Sequence, residues 1–399
     1  MGRMMRRYWL PAVLSSELIA GTPKRVRLLG EHFVAYRGDD GVVGVLDELC
    51  PHRGASLVLA RAEGCALRCL YHGWKIDRSG DVLEMPAEPE GTAFIAKARS
   101  AAYPVYESAG IVWTYLGEPG TEPPVPHFAY ASVPESQRVN GKFRTDCNWV
   151  QSLEGAIDTA HSNYLHSDDI LPPGTDPSSR WAVQRTERPS LDGRPRIATE
   201  DTDYGFRYAA LRRPLIDPEI NQYVRVTHFV APFTAIIPFG DLQNVQIFVP
   251  IDDEHTYQYD VKCSFSGSLP DRVTVTNSIG PTDGDFGTDR NRENNWGQDR
   301  EAMKSFSFTG IKIIRNQDTA VQESMGPLYD RSKEHLGVSD TAIIRMRRRM
   351  LDSVRAFTEH GAAPLALDKA FDYGDIIAVE GMLPLDRPWQ TLLDARTLA

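Results

Sequence analysis

Two short cysteine-histidine pairs near the amino terminus constrain the fold of this chain more than any other feature of its sequence. One residue separates Cys50 from His52, two separate Cys69 from His72, and sixteen residues lie between the pairs. If the four side chains bind one metal group, the fold has to hold two loops side by side. Two thiolates and two imidazoles suit a [2Fe-2S] cluster in which imidazoles replace thiolates on one iron and raise the reduction potential. The spacing therefore predicts a cluster that accepts electrons easily.

Three other interpretations of these residues are weaker. A structural zinc site usually pairs cysteine with cysteine and histidine with histidine, whereas the two types alternate here. Chance spacing is the second alternative. The third is that Cys65 replaces Cys69 as a ligand, but Cys65 has no histidine at the matching offset. We expect His32 and His127, outside the motif, to be ordinary surface or core residues.

A second histidine motif lies in residues 146–165, a segment that we predict to be helical. Asp158, His161 and His166 form the pattern Asp-x2-His-x4-His. Asp158 and His161 would share a helix face, but His161 and His166 would point about 140° apart at 3.6 residues per turn. The helix therefore has to bend, loosen or end between them. Two imidazoles and a carboxylate bind Fe(II) on one face and leave positions for O2 and substrate, although an amphipathic helix with two core histidines remains the alternative.

Together the two motifs resemble those of Rieske non-haem iron oxygenase α subunits. Cys-x-His and Cys-x2-His followed by Gly-Trp are similar to the Rieske ferredoxin signature, and Asn-Trp followed by Glu-Gly-x2-Asp-x2-His-x4-His resembles the phthalate dioxygenase-like branch. The resemblance implies that His161 and His166 bind a mononuclear Fe(II). It also implies that Asp318, in the segment QDTAVQESMGPLYDRSKEHLG, is the third ligand. Glu323 and Glu154 are the alternative carboxylates.

The same resemblance implies how the subunits assemble. Asp158 would bridge an iron-binding histidine and His72 of the neighbouring subunit, because a carboxylate can accept from two imidazole N–H groups. Electrons would then pass from the cluster through Asp158 to the iron. Head-to-tail trimers follow, either single or stacked as hexamers. Asp318 is followed by Thr319 instead of a second acid, which favours an assembly of α subunits alone. No dinucleotide-binding or flavin-binding motif is evident, so a separate flavin or iron-sulfur reductase is expected to supply the electrons.

The resemblance covers nearly the whole chain and implies an α+β fold. An all-β Rieske [2Fe-2S] domain is expected at residues 1–125, and a helix-grip, START-like catalytic domain with an antiparallel sheet at 126–399. A chain of 399 residues exceeds the usual size of one core, and the proline-rich stretch GEPGTEPPVPHF marks the boundary.

Residue patterns also predict individual elements. A C-terminal amphipathic helix is expected at 340–361, and loops 167–181 and 280–299 are long enough to act as active-site lids. The predicted strands are 24–36, 42–46, 68–76, 110–116, 205–211, 223–230, 244–251 and 256–265.

The substrate of the phthalate dioxygenase-like branch is typically an aromatic carboxylate, which requires a cation, preferably the planar fork of arginine. Arg207 and Arg225 lie within predicted strands, where a charge is costly unless it is paired. Both are candidate anchors, with an internal salt bridge or an edge-strand charge as the alternative. Arg180, Arg212 and Arg213 are weaker candidates.

The expected reaction is cis-dihydroxylation of the aromatic ring. The alternative within the family is monooxygenation, including O-demethylation of a methoxybenzoate. A different class of function, a non-catalytic Rieske electron carrier, is disfavoured because an electron carrier needs no large second domain.

Composition excludes other classes of function. A formal charge of -10 disfavours nucleic acid as a partner. Pro11 interrupts the apolar stretch near the amino terminus, which is too short for a signal or membrane segment. The five cysteines do not form a disulfide framework, so we expect reduced thiols and a cytoplasmic location. The basic run 345–350 is expected to be the solvated side of its helix, with docking of an acidic reductase as the alternative.

Overall fold

The computed structural model describes residues 2–90, 93–166, 190, 192–240, 242–269, 282–305, 307–367 and 369–394. The chain divides into two compact units, Met1–Pro126 with Val249–Asp252, and His127–Phe248 with Asp253–Ala399. Among these residues no helix is both long enough and apolar enough to cross a membrane.

The first unit is built from short antiparallel strands in three sheets, after a single-turn helix, α1, at Gly2–Met5. The sheets have the orders β1-β11-β10, β2-β3-β4-β9 and β5-β6-β7-β8. The strands are β1 Trp9–Leu14, β2 Lys24–Leu28, β3 Glu31–Arg37, β4 Val43–Asp47, β5 Arg61–Glu63, β6 Ala66–Arg68, β7 Lys75–Asp77, β8 Val82–Glu84, β9 Ala102–Tyr103, β10 Val105–Ser108 and β11 Ile111–Tyr115. The predicted all-β character of this unit is confirmed.

Two of the predicted strands in this unit are each divided by a turn. The run 24–36 is broken at Leu29 and Gly30, which both have positive φ, so it forms the antiparallel pair β2 and β3. The run 68–76 is not one strand, because Cys69 and Trp74 close a loop between β6 and β7. In both cases apolar residues continue through the turn, so the residue pattern alone does not show where one strand ends and the next begins.

The second unit contains an eight-stranded antiparallel sheet with the order β12-β18-β17-β16-β15-β14-β13, and β19 also pairs with β15. This confirms the predicted α+β class. The strands are β12 Arg138–Thr145, β13 Arg196–Thr202, β14 Gly205–Arg212, β15 Asn221–Val230, β16 Thr234–Phe239, β17 Leu242–Pro250, β18 Thr256–Ser264 and β19 Val379–Pro384. The helices are α2 Trp149–Ile157, α3 Ile314–Ser324, α4 Thr341–His360 and α5 Thr391–Asp394.

Helix α2 ends much earlier than the sequence predicts. It begins after Asn148, whose side chain accepts from the Val150 amide at 3.1 Å, but it stops at Ile157 and not near residue 165. The Tyr208 hydroxyl donates to the Ile157 carbonyl, so a side chain from the sheet satisfies the helix end. Asp158 then adopts an extended conformation (φ -72°, ψ 116°). The expectation that Asp158 and His161 share a helix face is therefore wrong.

The C-terminal helix α4 matches its prediction closely. On its predicted apolar side Ile343, Met346 and Met350 are buried, where the helix lies against β13 and β14. It ends at Gly361, which has a left-handed conformation with φ 66°, as is common after the last helical turn.

Candidate metal centres

The two cysteine-histidine loops of the first unit have the same backbone hydrogen bonds. In each loop the cysteine amide donates to the carbonyl five residues later, at 2.9 Å for both Cys50 and Cys69. The glycine four residues after each cysteine, Gly54 or Gly73, donates back to the cysteine carbonyl at 2.9 and 3.1 Å. Both glycines have positive φ, 73° and 76°, which favours glycine because it lacks a Cβ atom. The sequence therefore builds one turn twice.

These turns bring the predicted cluster ligands together. Cys50 and Cys69 are buried, and the rings of His52 and His72 lie 4.4 Å apart between centroids. The Trp74 indole stacks on His52 at 4.5 Å with an interplanar angle of 10°. Burial raises the pKa of Cys50 to about 11, so a thiolate there needs the positive charge of a metal. Among the residues that the structure describes, the buried Nδ1 atom of His72 has no hydrogen-bond partner, so the donor set fits a cluster bound through thiolates and imidazoles.

In the second unit, three side chains converge around one point. The Nε2 atoms of His161 and His166 are 3.2 Å apart, and the Oδ1 atom of Asp318 lies 3.6 and 3.1 Å from them. Within the described part of the chain, this is the one group of three or more histidine, cysteine or acidic side chains with ligand atoms mutually within 4.8 Å. Two imidazoles and one carboxylate are the donor set of mononuclear non-haem iron. These residues therefore fit Fe(II).

Two of the three side chains, His166 and Asp318, have a neighbour on α3 that orients them. Gln317 Oε1 lies 2.7 Å from His166 Nδ1. A guanidinium nitrogen of Arg315 lies 3.6 Å from Oδ2 of Asp318, the carboxylate oxygen that does not face the histidines. Burial alone would raise the pKa of Asp318, but its interactions with His166 and with the Arg315 guanidinium hold that pKa below its ordinary value. Asp318 is therefore ionised, as a metal ligand has to be. The sequence pattern did not single out Gln317 or Arg315, which lie one and three residues before Asp318 on α3.

Two family models match almost the whole chain. Residues 8–105 match the Rieske [2Fe-2S] domain, and residues 114–398 match the LigXa C-terminal domain-like family. The chain belongs to the Rieske oxygenase family. The predictions of an oxidoreductase with a Rieske cluster and a mononuclear iron are thereby confirmed, and an oxygenase subunit of this family works with a separate reductase.

Similar proteins place this Rieske oxygenase in the predicted branch. It is 44% identical to the phthalate 4,5-dioxygenase oxygenase subunit of Pseudomonas putida, over 98% of this chain and 90% of the relative. It is 36% identical to the 3-chlorobenzoate-3,4-dioxygenase oxygenase subunit of Comamonas testosteroni, over 99% and 94% of the two chains. The solved structure of NdmA from Pseudomonas putida CBB5 with caffeine shares the fold, with a TM-score of 0.64, 19% identity and coverage of 97% and 98%.

In this Rieske oxygenase, Asp158 contacts one of the three converging side chains. Its Oδ2 atom lies 3.4 Å from His161 Nδ1, and its Oδ1 atom accepts from the Ala160 amide at 2.7 Å. Burial would raise the pKa of Asp158, but the hydrogen bond to His161 and the charge of that ring lower it overall. The carboxylate is therefore held beside His161 although no helix connects them.

The two alternative carboxylates are engaged elsewhere. Glu154 forms ion pairs with Arg331 at 2.9 Å and Arg347 at 2.6 Å. Glu323 accepts from the indole N–H of Trp296 at 2.6 Å, and neither acid belongs to the converging group.

The two arginines predicted as substrate anchors both form ion pairs within the chain. Arg207 contacts Glu200 at 2.7 Å and lies over the Trp389 ring at 5.8 Å from its centroid. Arg225 contacts Glu380 at 2.8 Å. This is the salt-bridge alternative that the sequence left open, and an anchoring role for either residue stays a prediction.

Arg212, which the sequence ranked lower, contacts the segment between Asp158 and His161. Only 4% of this residue is exposed, and its guanidinium donates to the carbonyl and hydroxyl of Thr159 at 2.7 and 3.0 Å. Its other terminal nitrogen is buried and has no hydrogen-bond partner among the described residues. Burial, with a smaller effect of Arg225, lowers the pKa of Arg212. The buried cation therefore has unused donor capacity next to the segment that carries His161.

Strand alternation separates these arginines. Arg207 and Arg212 are five residues apart on β14 and so point to opposite faces of the sheet. Arg225 pairs with Ala210 in the register of β14 and β15, so it shares the face of Arg212. Of the weaker candidates, Arg213 is exposed and contacts Glu219 at 2.6 Å, and Arg180 lies outside the described residues.

One of the two predicted lids can be compared with the structure. Loop 167–181 lies outside the described residues. The described part of the other loop, 282–299, is attached to α3: Arg292 donates to the Ser324 carbonyl at 3.0 Å, and Trp296 holds the Glu323 carboxylate. Arg292 thus caps the C-terminal end of the helix that carries Asp318.

The basic side of α4 is largely occupied by ion pairs. Arg345 and Arg349 contact Asp201, and Arg347 contacts Glu334. Its charges are therefore partly neutralised within the chain, which does not favour this side as a reductase-docking surface.

The matched glycines of the two loops predict unequal effects of alanine. Gly54→Ala places a Cβ atom in open space and should cost about 1–2 kcal/mol, the penalty of the left-handed conformation. Gly73→Ala has the same penalty and also brings a Cβ atom to 2.6 Å from Pro86 Cγ. We therefore expect Gly73→Ala to lose the visible absorbance of the cluster at a lower temperature than Gly54→Ala does when the two variants are heated. Equal midpoints for the two variants would contradict this account of the loop.

Proposed function

We propose that this chain is the terminal oxygenase component that hydroxylates an aromatic carboxylate, with O2 as oxidant and electrons from a separate NAD(P)H-dependent reductase. The observation that carries the proposal is the convergence of His161, His166 and Asp318 in a chain with paired Rieske loops. The names of the two relatives, for phthalate and 3-chlorobenzoate dioxygenation, support an aromatic acid as the substrate.

For both cofactors we propose the ligands that the sequence predicted. Iron held by His161, His166 and Asp318 would activate O2, with electrons from the cluster. The chain would hold this iron through three donor atoms that lie within 4.8 Å of one another, and a set of two imidazoles and one carboxylate leaves coordination positions for O2 and substrate. The proposed ligands are Cys50, His52, Cys69 and His72 for the cluster, and His161, His166 and Asp318 for the mononuclear iron.

The reaction that we favour is cis-dihydroxylation. One O2, two electrons and two protons are added to the aromatic acid, both oxygen atoms bond to adjacent ring carbons, and a cis-dihydrodiol results. The reductase supplies both electrons. Monooxygenation, including O-demethylation, is the alternative, and the names of the two relatives favour dioxygenation. An electron carrier without oxygenase activity would have no use for the converging histidines and carboxylate.

We further propose a head-to-tail homotrimer, single or stacked, in which Asp158 bridges its own His161 and the His72 of the next subunit. Asp158 keeps 28% of its side chain exposed while it contacts His161, so its carboxylate can accept a second imidazole N–H. Beside His72, the apolar side chains of Leu70 and Tyr71 are 61% and 56% exposed. Burial of these side chains by another copy would stabilise the trimer. The trimer and a cytoplasmic location stay predictions.

For the substrate carboxylate we propose Arg212 as the principal anchor. One of its terminal nitrogens is buried and has no hydrogen-bond partner among the described residues. A charged donor in such a place binds an anion more strongly than it would in water. Arg225 lies on the same face of the sheet as Arg212, and its role as a second anchor stays a prediction. Its charge is already neutralised by the ion pair with Glu380. An anchoring role for Arg207 also stays a prediction, and its position on the opposite face of the sheet does not support it.

The function is tested by mixing reduced, iron-loaded protein with O2 and following the return of the oxidised-cluster absorbance. We expect a phthalate or substituted benzoate to accelerate reoxidation and to yield a hydroxylated product, because substrate binding should couple electron transfer to oxygenation. The matching neutral amides should be much less effective. No acceleration by any aromatic compound, together with no O2-dependent product, would favour the electron carrier, whereas acceleration by neutral compounds alone would contradict only the carboxylate anchor.

Substitution of Arg212 should remove the preference for the acid. We expect Arg212→Gln to raise the KM for the acid about 10- to 100-fold, since a hydrogen bond to a charged group contributes roughly 1.5–3 kcal/mol. The KM for the neutral amide should change little. Arg207→Gln, on the opposite face, is the matched control and should keep the preference. Equal losses with acid and amide in Arg212→Gln would indicate a structural role instead.

A further inference from the structure

Gln317 is buried directly beside one of the proposed iron ligands. Only 2% of this residue is exposed, and its Oε1 atom lies 2.7 Å from Nδ1 of His166. It stands immediately before Asp318 on α3, so one helical turn contacts His166 through two consecutive residues. The Asp318 carboxylate faces Nε2 of the ring, and the Gln317 amide faces the opposite nitrogen.

The surroundings of Gln317 fix which end of its amide faces the histidine. Its Nε2 atom donates to the Ile311 carbonyl at 2.8 Å and to the Thr309 hydroxyl at 3.1 Å. A flipped amide would place its oxygen against the Ile311 carbonyl, and two acceptors would then face each other in a buried place. The oxygen therefore faces His166.

An acceptor at this position determines the tautomer of His166. A neutral imidazole has one N–H donor and one acceptor nitrogen, so Nδ1 has to carry the proton that Gln317 accepts. The lone pair then lies on Nε2, the atom that points towards His161 and Asp318.

We infer that Gln317 is a positioning residue that sets the tautomer and ring orientation of His166 for metal binding. The inference rests on the proposed function, because it takes His166 to be an iron ligand. The two imidazoles then differ in their outer partner: a neutral amide supports His166, whereas the Asp158 carboxylate supports His161.

The test is the affinity of the cluster-loaded protein for Fe(II) and Co(II), measured by competition with a chelator. Gln317→Met keeps the side-chain length but removes the acceptor, and loss of an outer partner of this kind typically weakens metal binding about 10- to 100-fold. Gln243→Met is the matched control, because Gln243 is buried at 1% exposure on β17, outside α2 and α3, and donates to the Ala378 carbonyl at 3.4 Å. It should keep the metal affinity of the unsubstituted protein.

Gln317→Glu separates positioning from stability. Its carboxyl group can still accept from His166, so metal affinity should lie closer to that of the unsubstituted protein than that of Gln317→Met. If the carboxyl is ionised, it loses the donation to Ile311, and the thermal midpoint of the protein without mononuclear iron should fall. A merely structural role would lower affinity and midpoint together in both variants, and that result would overturn the inference.

His166→Ala distinguishes this inference from the proposed function. If His166→Ala abolishes iron binding while Gln317→Met binds as tightly as Gln243→Met, the positioning role is wrong and the ligand set stands. If His166→Ala leaves the affinity unchanged, the proposed ligand set is wrong, and the positioning role is overturned with it.

Discussion

The close packing of α3 against α2 is the constraint on which the proposed iron site depends. Asp318 is remote in sequence from the two histidines and reaches them only because the two helices touch. Gly155 allows this approach, since a Cβ atom there would lie 2.4 Å from the Gln322 side chain. Gln151 ties the helices together by donating to the Gly326 carbonyl at 3.0 Å and accepting from the Tyr329 amide at 2.9 Å. A side chain at Gly155 would therefore displace the Gln322 amide from the contact between the two helices.

The same packing places a buried charge next to the ligands. Arg315 is only 8% exposed and contacts both Asp260, at 3.4 Å, and Asp318, at 3.6 Å. Removing one partner from such a network leaves an uncompensated buried charge, which typically costs several kcal/mol. The ionised form of Asp318 is thus stabilised before any metal binds. The proposed iron site is therefore held by buried residues of the second unit.

The sequence predicted the features whose determinants are local. The cluster loops could be recognised because each cysteine is followed by a histidine and a glycine within four residues. The end of α2 could not, because it depends on Tyr208, which is 51 residues further along the chain. Asp318 was identified only by resemblance, since the residue pattern alone does not distinguish it from Glu323. The contact between Arg212 and Thr159 could not be predicted, because strand alternation defines two faces of a sheet but not which face lies towards the histidines.

The central claim, that Asp318 completes a mononuclear iron site distinct from the cluster, is tested most directly by iron content. The reconstituted protein should contain about three iron atoms per chain, two in the cluster and one at the histidines. We predict that Asp318→Ala retains the cluster absorbance and binds about two iron atoms, whereas the control Glu323→Gln retains all of them. An Asp318→Ala protein that keeps its full iron content, or a Glu323→Gln protein that loses the mononuclear iron instead, would contradict the account.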